Sequence, residues 1–413
     1  MSQSYRISNE GLLNRNKEIS FKFNGTKYTG YEGDTLASAL LANGIHLVGR
    51  SFKYHRPRGF FGAGVDEPNA KLQILLNGHS EPNVNATEFE LVEGIEATSQ
   101  NCWPSVKFDV GAMNNFLSKF FPAGFYYKTF KWPKSFWYKV YEPFIRKAAG
   151  FGIASLEKDK ERYEHKYEYC DLLVTGSGPA GLSSAYAAAK NGAKVILAED
   201  KPRFGGSLLT DDVTIDNLSG KAWTDKIITQ LKEMPNVIVK NRSQVFGYYD
   251  HNMTVMIEKT GDHLKDKPKY VPRQRLWYIR AKEVILSTGS IERPIVFGNN
   301  DTPGVFLSAA AKEYIKVYGV LVGKKPLVFT NNDSGYETAL EFKKHGVDPI
   351  ILDTREEHSS ELIDSAKNQN IKIKFSYAVI AANGYKKVNS AQIGKLNKDK
   401  TSFDNFETIE CDC

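Results

Sequence analysis

The sequence predicts a chain of mixed α/β and α+β class, and three observations carry that expectation. In the first, an apolar strand at Asp171–Thr175 enters the turn Gly176-Ser-Gly178-Pro-Ala-Gly181. An Ala-rich helix over Leu182–Lys190 and a second strand, Ala193–Ala198, follow, and that strand ends at Glu199. In the second, two short strand patterns, Ile19–Phe23 and Thr26–Thr29, flank Asn24-Gly25 near the amino terminus. In the third, strand, helix and strand recur at Pro326–Thr330, Ser334–His345 and Asp348–Leu352. Alternation of that kind marks parallel-sheet units, whereas Asn-Gly between alternating apolar residues marks an antiparallel hairpin.

The amino-terminal element begins after a polar stretch, residues 1–18, which reads as a flexible arm. The hairpin is followed by Gly33-Asp34 and a helix over Thr35–Ala42 that stops at Asn43-Gly44. A hairpin crossed by one helix opens a β-grasp domain, expected over residues 19–110, with further strands at Ala70–Leu76 and Glu88–Val92. Its basic loop, Gly49–Gly59, and the residues to 69 contain no cysteine. A [2Fe–2S] cluster needs four ligands, so this ferredoxin-like domain is expected to carry no iron–sulfur cluster. His55 lies in that loop and reads as a packed loop histidine more readily than a catalytic one. Residues 111–168 form an aromatic and basic linker broken by Pro122, Pro133 and Pro143. Its aromatic side chains suit packing between domains or against a partner subunit better than nucleic-acid or membrane contact. Residues 156–168 read as a solvated, charged connector.

The glycine turn carries the chemistry. Gly176 suits a tight turn, Gly178 lets backbone N–H groups approach a pyrophosphate, and Gly181 lets helix and strand pack closely. Glu199, with Asp200 beside it, stands where an acid holds ribose hydroxyls. The cofactor-binding candidates are therefore Gly176, Ser177, Gly178, Pro179, Ala180, Gly181, Glu199 and Asp200. Gly205, Gly206 and Ser207 join them because a Gly pair soon after the acid lets the backbone pass close to a cofactor; a plain turn is the other reading. Thr288 and Gly289 close a strand, Glu283–Ser287, where a cofactor would pass, or else form a simple strand-ending turn. The later strand–helix–strand region, about residues 325–413, has Asn331 and Asn332 where glycines would be needed, so it reads as a retained fold with a degraded nucleotide site.

Several classes are excluded. A net charge of +7 over 413 residues does not indicate nucleic acid. No apolar run reaches the length of a membrane span. Four cysteines suit a reducing cytoplasm and no disulfide framework, and Cys411-x-Cys413 lacks the spacing of an exchange pair. The eight histidines show no His-x-x-x-His spacing, so no metal site is expected, and no catalytic residue is assigned.

Long strings then carry a resemblance: Gly33–Gly44, Val48–Gly59, Glu67–Ala70, Asn101–Ser105, Pro122–Phe130, Phe246–Asn252, Pro272–Trp277 and Thr330–Ser334. Together they resemble the alpha subunit of heterotetrameric sarcosine oxidase. That resemblance implies a FAD/NAD(P)-binding, Rossmann-type, two-dinucleotide-domain region over 169–413, truncated at its end. It implies NAD in the glycine-turn site, FMN shared with a beta subunit, and FAD on the partner, FAD being also the alternative occupant of the NAD site. The family's complex, with beta, gamma and delta subunits, oxidatively demethylates sarcosine to glycine using oxygen and tetrahydrofolate, yielding hydrogen peroxide and methylenetetrahydrofolate. The amine-oxidising residues would not lie on this chain. Alternatives are the alpha subunit of a related imino-acid or opine dehydrogenase, and a free-standing NAD(P)H-linked flavin reductase. The family's alpha subunit is about twice this length, so the expectation is an amino-terminal portion without the folate domain.

Overall fold

The structure is a computed structural model describing residues 3–76, 78–122 and 124–413, the side chain of Tyr127 excepted. The outermost residues of the expected arm, and Ala123 and the Tyr127 side chain of the aromatic string, lie outside that description. The chain folds as two compact units, Met1–Glu157 with Glu292–Cys413, and Lys158–Ile291.

The first unit opens with strands β1 (Asn14–Phe23) and β2 (Thr26–Glu32), paired antiparallel through Asn24-Gly25. Both turn residues hold positive φ, the backbone that Asn-Gly supplies at least cost. Helix α1 (Leu36–Ala42) starts at a capping box in which Thr35 and Ser38 satisfy each other's backbone N–H, and it is buried throughout. A small hairpin, β3 (Gly49–Arg50) with β4 (Pro57–Arg58), lies in the basic loop. Strands β5 (Lys71–Leu76), β6 (His79–Asn85) and β7 (Glu96–Ser99) complete a sheet of order β2-β1-β7-β5-β6. Glu88–Val92 is not a strand. The Phe89 carbonyl accepts from Leu36 N–H and Leu91 N–H donates to the Asp34 carbonyl, so the segment serves the helix entry instead. Short helices α2 (Met113–Phe116), α3 (Phe125–Thr129) and α4 (Glu142–Ala149) follow; Pro122 and Pro133 fall between helices as expected, whereas Pro143 lies in the first turn of α4, which continues a helical turn from Trp137–Tyr141.

The arm differs from its expectation. Ile7 and Leu12 donate backbone hydrogen bonds to Gly319 and Val317, and Leu321 donates to Tyr5. Arg6 pairs with fully buried Asp34 at 2.7 Å. Residues 3–13 are thus tied to chain some 300 residues away.

The second unit is built on β8 (Tyr163–Thr175), which starts well before Cys170. Residues 163–168, expected as connector, alternate in exposure as a strand with one half-buried face. Helix α5 (Pro179–Lys190) and β9 (Val195–Ala198) complete the βαβ unit. A tight hairpin, β10 (Thr214–Ile215) with β11 (Leu218–Ser219), leads to α6 (Gly220–Glu233). Then come β12 (Val237–Lys240), β13 (Ser243–Tyr249), β14 (Met253–Glu258) and β15 (Gln274–Leu286). The sheet order is β12-β9-β8-β15-β14-β13, with β12, β9, β8 and β15 parallel. Leu182, Ala185, Val195, Leu197, Trp223 and Leu231 pack α5 and α6 on one face.

The first unit resumes with α7 (Ser308–Lys316), β16 (Leu327–Thr330), α8 (Ser334–Lys344), β17 (Ile350–Asp353), α9 (Glu361–Asn368) and β18 (Lys372–Phe375). Strands β16, β17 and β18 form a parallel sheet, and β19 (Tyr377–Gly384), β20 (Val388–Leu396) and β21 (Phe403–Glu410) an antiparallel one. Among the described residues, no helix is long and apolar enough to cross a membrane.

Candidate nucleotide-binding site

All the candidate residues fall in the second unit, at the carboxyl ends of β8, β9 and β15. In parallel sheets that end is where ligands bind. Gly176 N–H donates to the Ala198 carbonyl at 2.8 Å, and Ser287 N–H donates to the Thr175 carbonyl at 2.8 Å, so the turn is clamped between both neighbours. Gly176 has φ +96°, and a Cβ there would overlap the Ser287 carbonyl. A Cβ on Gly181 would overlap the Gly176 carbonyl in turn. At Gly178, by contrast, a Cβ would meet nothing within 4 Å. The turn is closed toward the protein and open at the helix end. Helix α5 has no side-chain cap and no acid in its first turn, so its amino-terminal N–H groups lack a built-in acceptor.

Glu199 is buried beside this turn. Its Oε2 accepts from Ser177 N–H at 2.9 Å and from Ser177 Oγ at 2.5 Å, and its Oε1 accepts from Lys201 N–H at 3.0 Å. Burial, reinforced by a hydrogen bond and repulsion from Asp200, pushes the Glu199 carboxyl up to about 7, against the opposing Ser177 and Lys201 bonds. Ser177 Oγ also accepts from Gly205 N–H at 3.1 Å. Fully buried Ser177 therefore joins the glycine turn, the acid and the Gly pair, and it acts inward rather than toward open space. Gly205 and Gly206 both hold positive φ, and a Cβ on Gly206 would lie 3.1 Å from Gly178 Cα, so the two turns face each other. Asp200, Pro179, Ala180, Gly206, Ser207, Thr288 and Gly289 are exposed around the opening. One group escaped the sequence reading: Thr175 Oγ1, just before the turn, is buried without a hydrogen-bond partner among the described residues. A polar residue ending an otherwise apolar strand was its signal. The residues fit a dinucleotide: an open helix end for the pyrophosphate, an acid for the ribose and a Gly pair for close passage.

The corresponding turn of the first unit is built differently. Asn332 Oδ1 accepts from Ser334 N–H at 2.9 Å and from Ser334 Oγ at 2.6 Å, while Thr330 Oγ1 donates to the Asn332 carbonyl at 2.8 Å. A Cβ on Gly335 would meet the Thr330 side chain at 2.6 Å. The acid ending β17, Asp353, is buried and receives Tyr336 Oη at 2.8 Å and Arg355, which also pairs with Asp333 at 2.8 Å. Side chains of the loop thus meet one helix-end N–H and the strand-end acid from within the chain. A cavity of about 730 Å³ opens at this same turn, lined by Thr330, Asn331, Asn332, Ser334 and Gly335 together with Phe297, Val328 and Phe342, and it includes none of the glycine-turn residues at 176–181.

The remaining candidates are structural. His55 is buried, its Nδ1 2.7 Å from Asp109 and its Nε2 3.1 Å from the Ala148 carbonyl. Cys102 is half-buried, and burial followed by repulsion from Asp109 pushes its thiol up to about 11. The structure does bring Glu10, Glu341 and His345 together, an i, i+4 Glu/His pair plus the arm. Glu341 already meets His345 at 3.0 Å, Lys344 at 3.5 Å and Lys316 at 3.8 Å, so the group reads as an ion-pair clamp.

Residues 170–413 match the family model of pyridine nucleotide-disulphide oxidoreductases. The chain belongs to this oxidoreductase family. Its glycine turn therefore sits in a nucleotide- and flavin-binding domain. Residues 16–102 match a 2Fe–2S iron–sulfur cluster binding domain, yet contain one cysteine, Cys102, where a cluster needs four ligands. The fold of that domain is present and its thiolate set is not. The chain is 50% identical over 353 residues to the alpha subunit of sarcosine oxidase from Rhizobium meliloti (strain 1021), covering 85% of this chain and 36% of that protein. It is 26% identical over 175 residues to an opine oxidase subunit of Agrobacterium tumefaciens (strain Ach5), covering 39% of this chain and 33% of that protein. The chain thus spans about a third of the length of these relatives. The L-proline dehydrogenase of P. horikoshii shares the fold over 99% of this chain and 61% of its own, with a TM-score of 0.61 at 19% identity.

Proposed function

We propose that this chain is the nucleotide-holding portion of the alpha subunit of a sarcosine oxidase-like complex. The observation that carries the proposal is the glycine turn, open only at the uncapped end of α5 and backed by Glu199. NAD is the occupant that best suits it. Gly178, Ala180 and Gly181 would hold the pyrophosphate, Glu199 and Asp200 the adenine-side ribose, and Gly205–Ser207 with Thr288 and Gly289 the rest. NAD, when bound, supplies a hydride acceptor; this chain's residues bind and orient it. FAD is the alternative occupant of the same turn.

The complex would convert sarcosine, oxygen and tetrahydrofolate to glycine, hydrogen peroxide and methylenetetrahydrofolate. The methyl carbon passes to the folate, and two electrons with two protons pass to oxygen. The amine-oxidising FAD would lie on a beta subunit, with FMN at the shared boundary and gamma and delta subunits completing a cytoplasmic assembly. The greater identity and coverage of the sarcosine oxidase relative favour this substrate over an opine. The test has two readouts. Purified chain is denatured and its released nucleotide identified by mass spectrometry, NAD being expected. Co-expression with a beta subunit then allows an assay for sarcosine-dependent peroxide. A chain carrying only flavin and oxidising NADH by itself would instead support the free-standing flavin reductase.

A further inference from the structure

A groove in the first unit runs along one edge of β16. The cavity at the α8 turn is lined by every residue from Pro326 to Asn332. Successive strand residues point to opposite faces, so a pocket on one face of a sheet takes alternate residues, and lining by all of them marks an edge. Among the described residues, β16 is the terminal strand of its sheet. Its Pro326 and Thr330 carbonyls accept from Ile350 and Thr354 N–H, both at 3.1 Å, on the β17 side. Alternation therefore turns the backbone groups of Leu327 and Phe329 to the other side. There Asp412 N–H donates to the Lys325 carbonyl at 3.0 Å, and Leu327 N–H donates to the Cys413 carbonyl at 2.9 Å. Both segments advance in the same direction through these bonds, so they begin a parallel pairing. Beyond them, no described strand meets the Leu327 carbonyl or the Phe329 N–H and carbonyl.

The second unit shows what fills such an edge. Its β8 and β9 are parallel strands joined through a helix, as β16 and β17 are, and β8 carries β15 on its other side, again parallel. Consecutive β15 residues, Val284 and Ile285, pack on opposite faces of that sheet. The groove beside β16 has the same two apolar sides. Val328 packs with α8 on one, and Leu327 and Phe329 pack with β19 and β20 on the other. We propose that this groove takes an extended polypeptide segment from outside these 413 residues, about four residues long, running parallel to β16 and apolar on both faces. A small apolar molecule would fill the space and leave the Leu327 and Phe329 backbone groups without partners. A second copy related by a two-fold axis would bring β16 to β16 antiparallel, against the sense that Asp412 and Cys413 set. Neither the groove nor its occupant depends on which nucleotide the α5 turn holds.

The full chain is titrated with the acetylated and amidated peptide of Glu283–Gly289, the sequence that fills the β8 edge, and with the same peptide N-methylated at Ile285 and Ser287. Those two amides lie on the side that meets β8, where Ser287 N–H donates to the Thr175 carbonyl. Calorimetry reads the affinity, and hydrogen exchange by mass spectrometry reads residues 327–330. The expected result is binding with a Kd below about 1 mM, slowed exchange over 327–330, and affinity lowered about tenfold or more by N-methylation. Phe329→Pro removes an outward N–H and no bond to β17, so it should weaken binding likewise at an unchanged melting temperature. If that variant melts lower, the N-methylated peptide alone decides. Equal affinity for both peptides would overturn the proposal in favour of an apolar small-molecule pocket. A dimer in sedimentation velocity that the peptide dissociates would overturn it in favour of a second copy. No binding of either peptide up to about 1 mM would overturn it outright.

Discussion

Replacing Glu199 by Gln should make the protein more stable at pH 8 and remove a pH dependence that the wild type possesses. Glu199 ordinarily titrates near 4.5 but is pushed up to about 7 in the fold, first by burial and then by Asp200. Between those values the folded state holds a proton that the unfolded chain has released. The contribution of this group to stability is then greatest below pH 4.5, falls as pH rises toward 7, and is flat above. The gap corresponds to about 3 kcal/mol, a ceiling because Asp200 shares the proton. Gln mimics the protonated acid. Its carbonyl can accept from Ser177, and its amide can donate to Asp200, at the cost of one mismatched contact at Lys201 N–H worth about 1 kcal/mol. The expected net gain is about 1–2 kcal/mol at pH 8, with no gain at pH 4.5. Urea unfolding of nucleotide-free protein at half-unit pH intervals reads this directly. Parallel pH profiles for the two proteins would refute the reasoning. Nucleotide binding should respond oppositely, because ribose hydroxyls donate to an ionised carboxylate. Wild-type affinity for NAD should fall as pH drops below 7, whereas the Gln variant should bind weakly throughout.

Other substitutions separate binding from folding. Gly178→Ala should leave the melting temperature within a degree or two and strip the protein of nucleotide, since its Cβ enters only the open side. Gly181→Ala should cost about 1–3 kcal/mol on unfolding as well, since its Cβ overlaps the Gly176 carbonyl. Equal effects on both measurements would refute the distinction. Arg6→Ala should destabilise the first unit by about 3–5 kcal/mol in a denaturant titration, because it leaves buried Asp34 without its partner; a loss under about 1 kcal/mol would return the arm to a loose tail. Anaerobic reconstitution with iron and sulfide should yield no cluster absorbance, the amino-terminal domain having too few thiolates.

What the sequence disclosed, and what it hid, follow from how far away each partner lies. The Asn24-Gly25 hairpin, the α1 boundaries and the glycine turn are local, and each carries its own signal in consecutive residues. Arg6 looks like any polar-tail residue because Asp34 and the Tyr318 carbonyl, its partners, are distant in the chain. The first half of β8 was masked differently. Tyr163, His165, Tyr167 and Tyr169 face one way and Glu164, Lys166 and Glu168 the other, so a charge average conceals a period of two. Within the site, the glycines were legible because only their backbone matters. Ser177 was named for its position, yet its role as a link from Glu199 to Gly205 could be read only once both turns were placed.

The two strand–turn–helix elements of this chain, at α5 and at α8, pose one physical problem and answer it in opposite ways. A helix amino terminus leaves N–H groups that need an acceptor. At α5 no side chain supplies one, and Gly178 leaves the approach clear, so the helix end is open to an anionic group. At α8 Asn332 supplies an acceptor, Asp333 supplies negative charge, and Arg355 neutralises both Asp333 and the strand-end acid Asp353. The Arg355 pairing also holds the Asp333 carboxyl below its ordinary range, so this arrangement remains charged at neutral pH. Replacing Asn331 and Asn332 by Gly would remove the acceptor of Ser334 N–H and still leave Arg355 committed to two carboxylates. The α8 turn is therefore partly served by its own side chains, beside a cavity that its residues line, while the α5 turn has no side-chain acceptor at all. That asymmetry makes the α5 turn, more than the α8 turn, the helix end prepared for an anionic group.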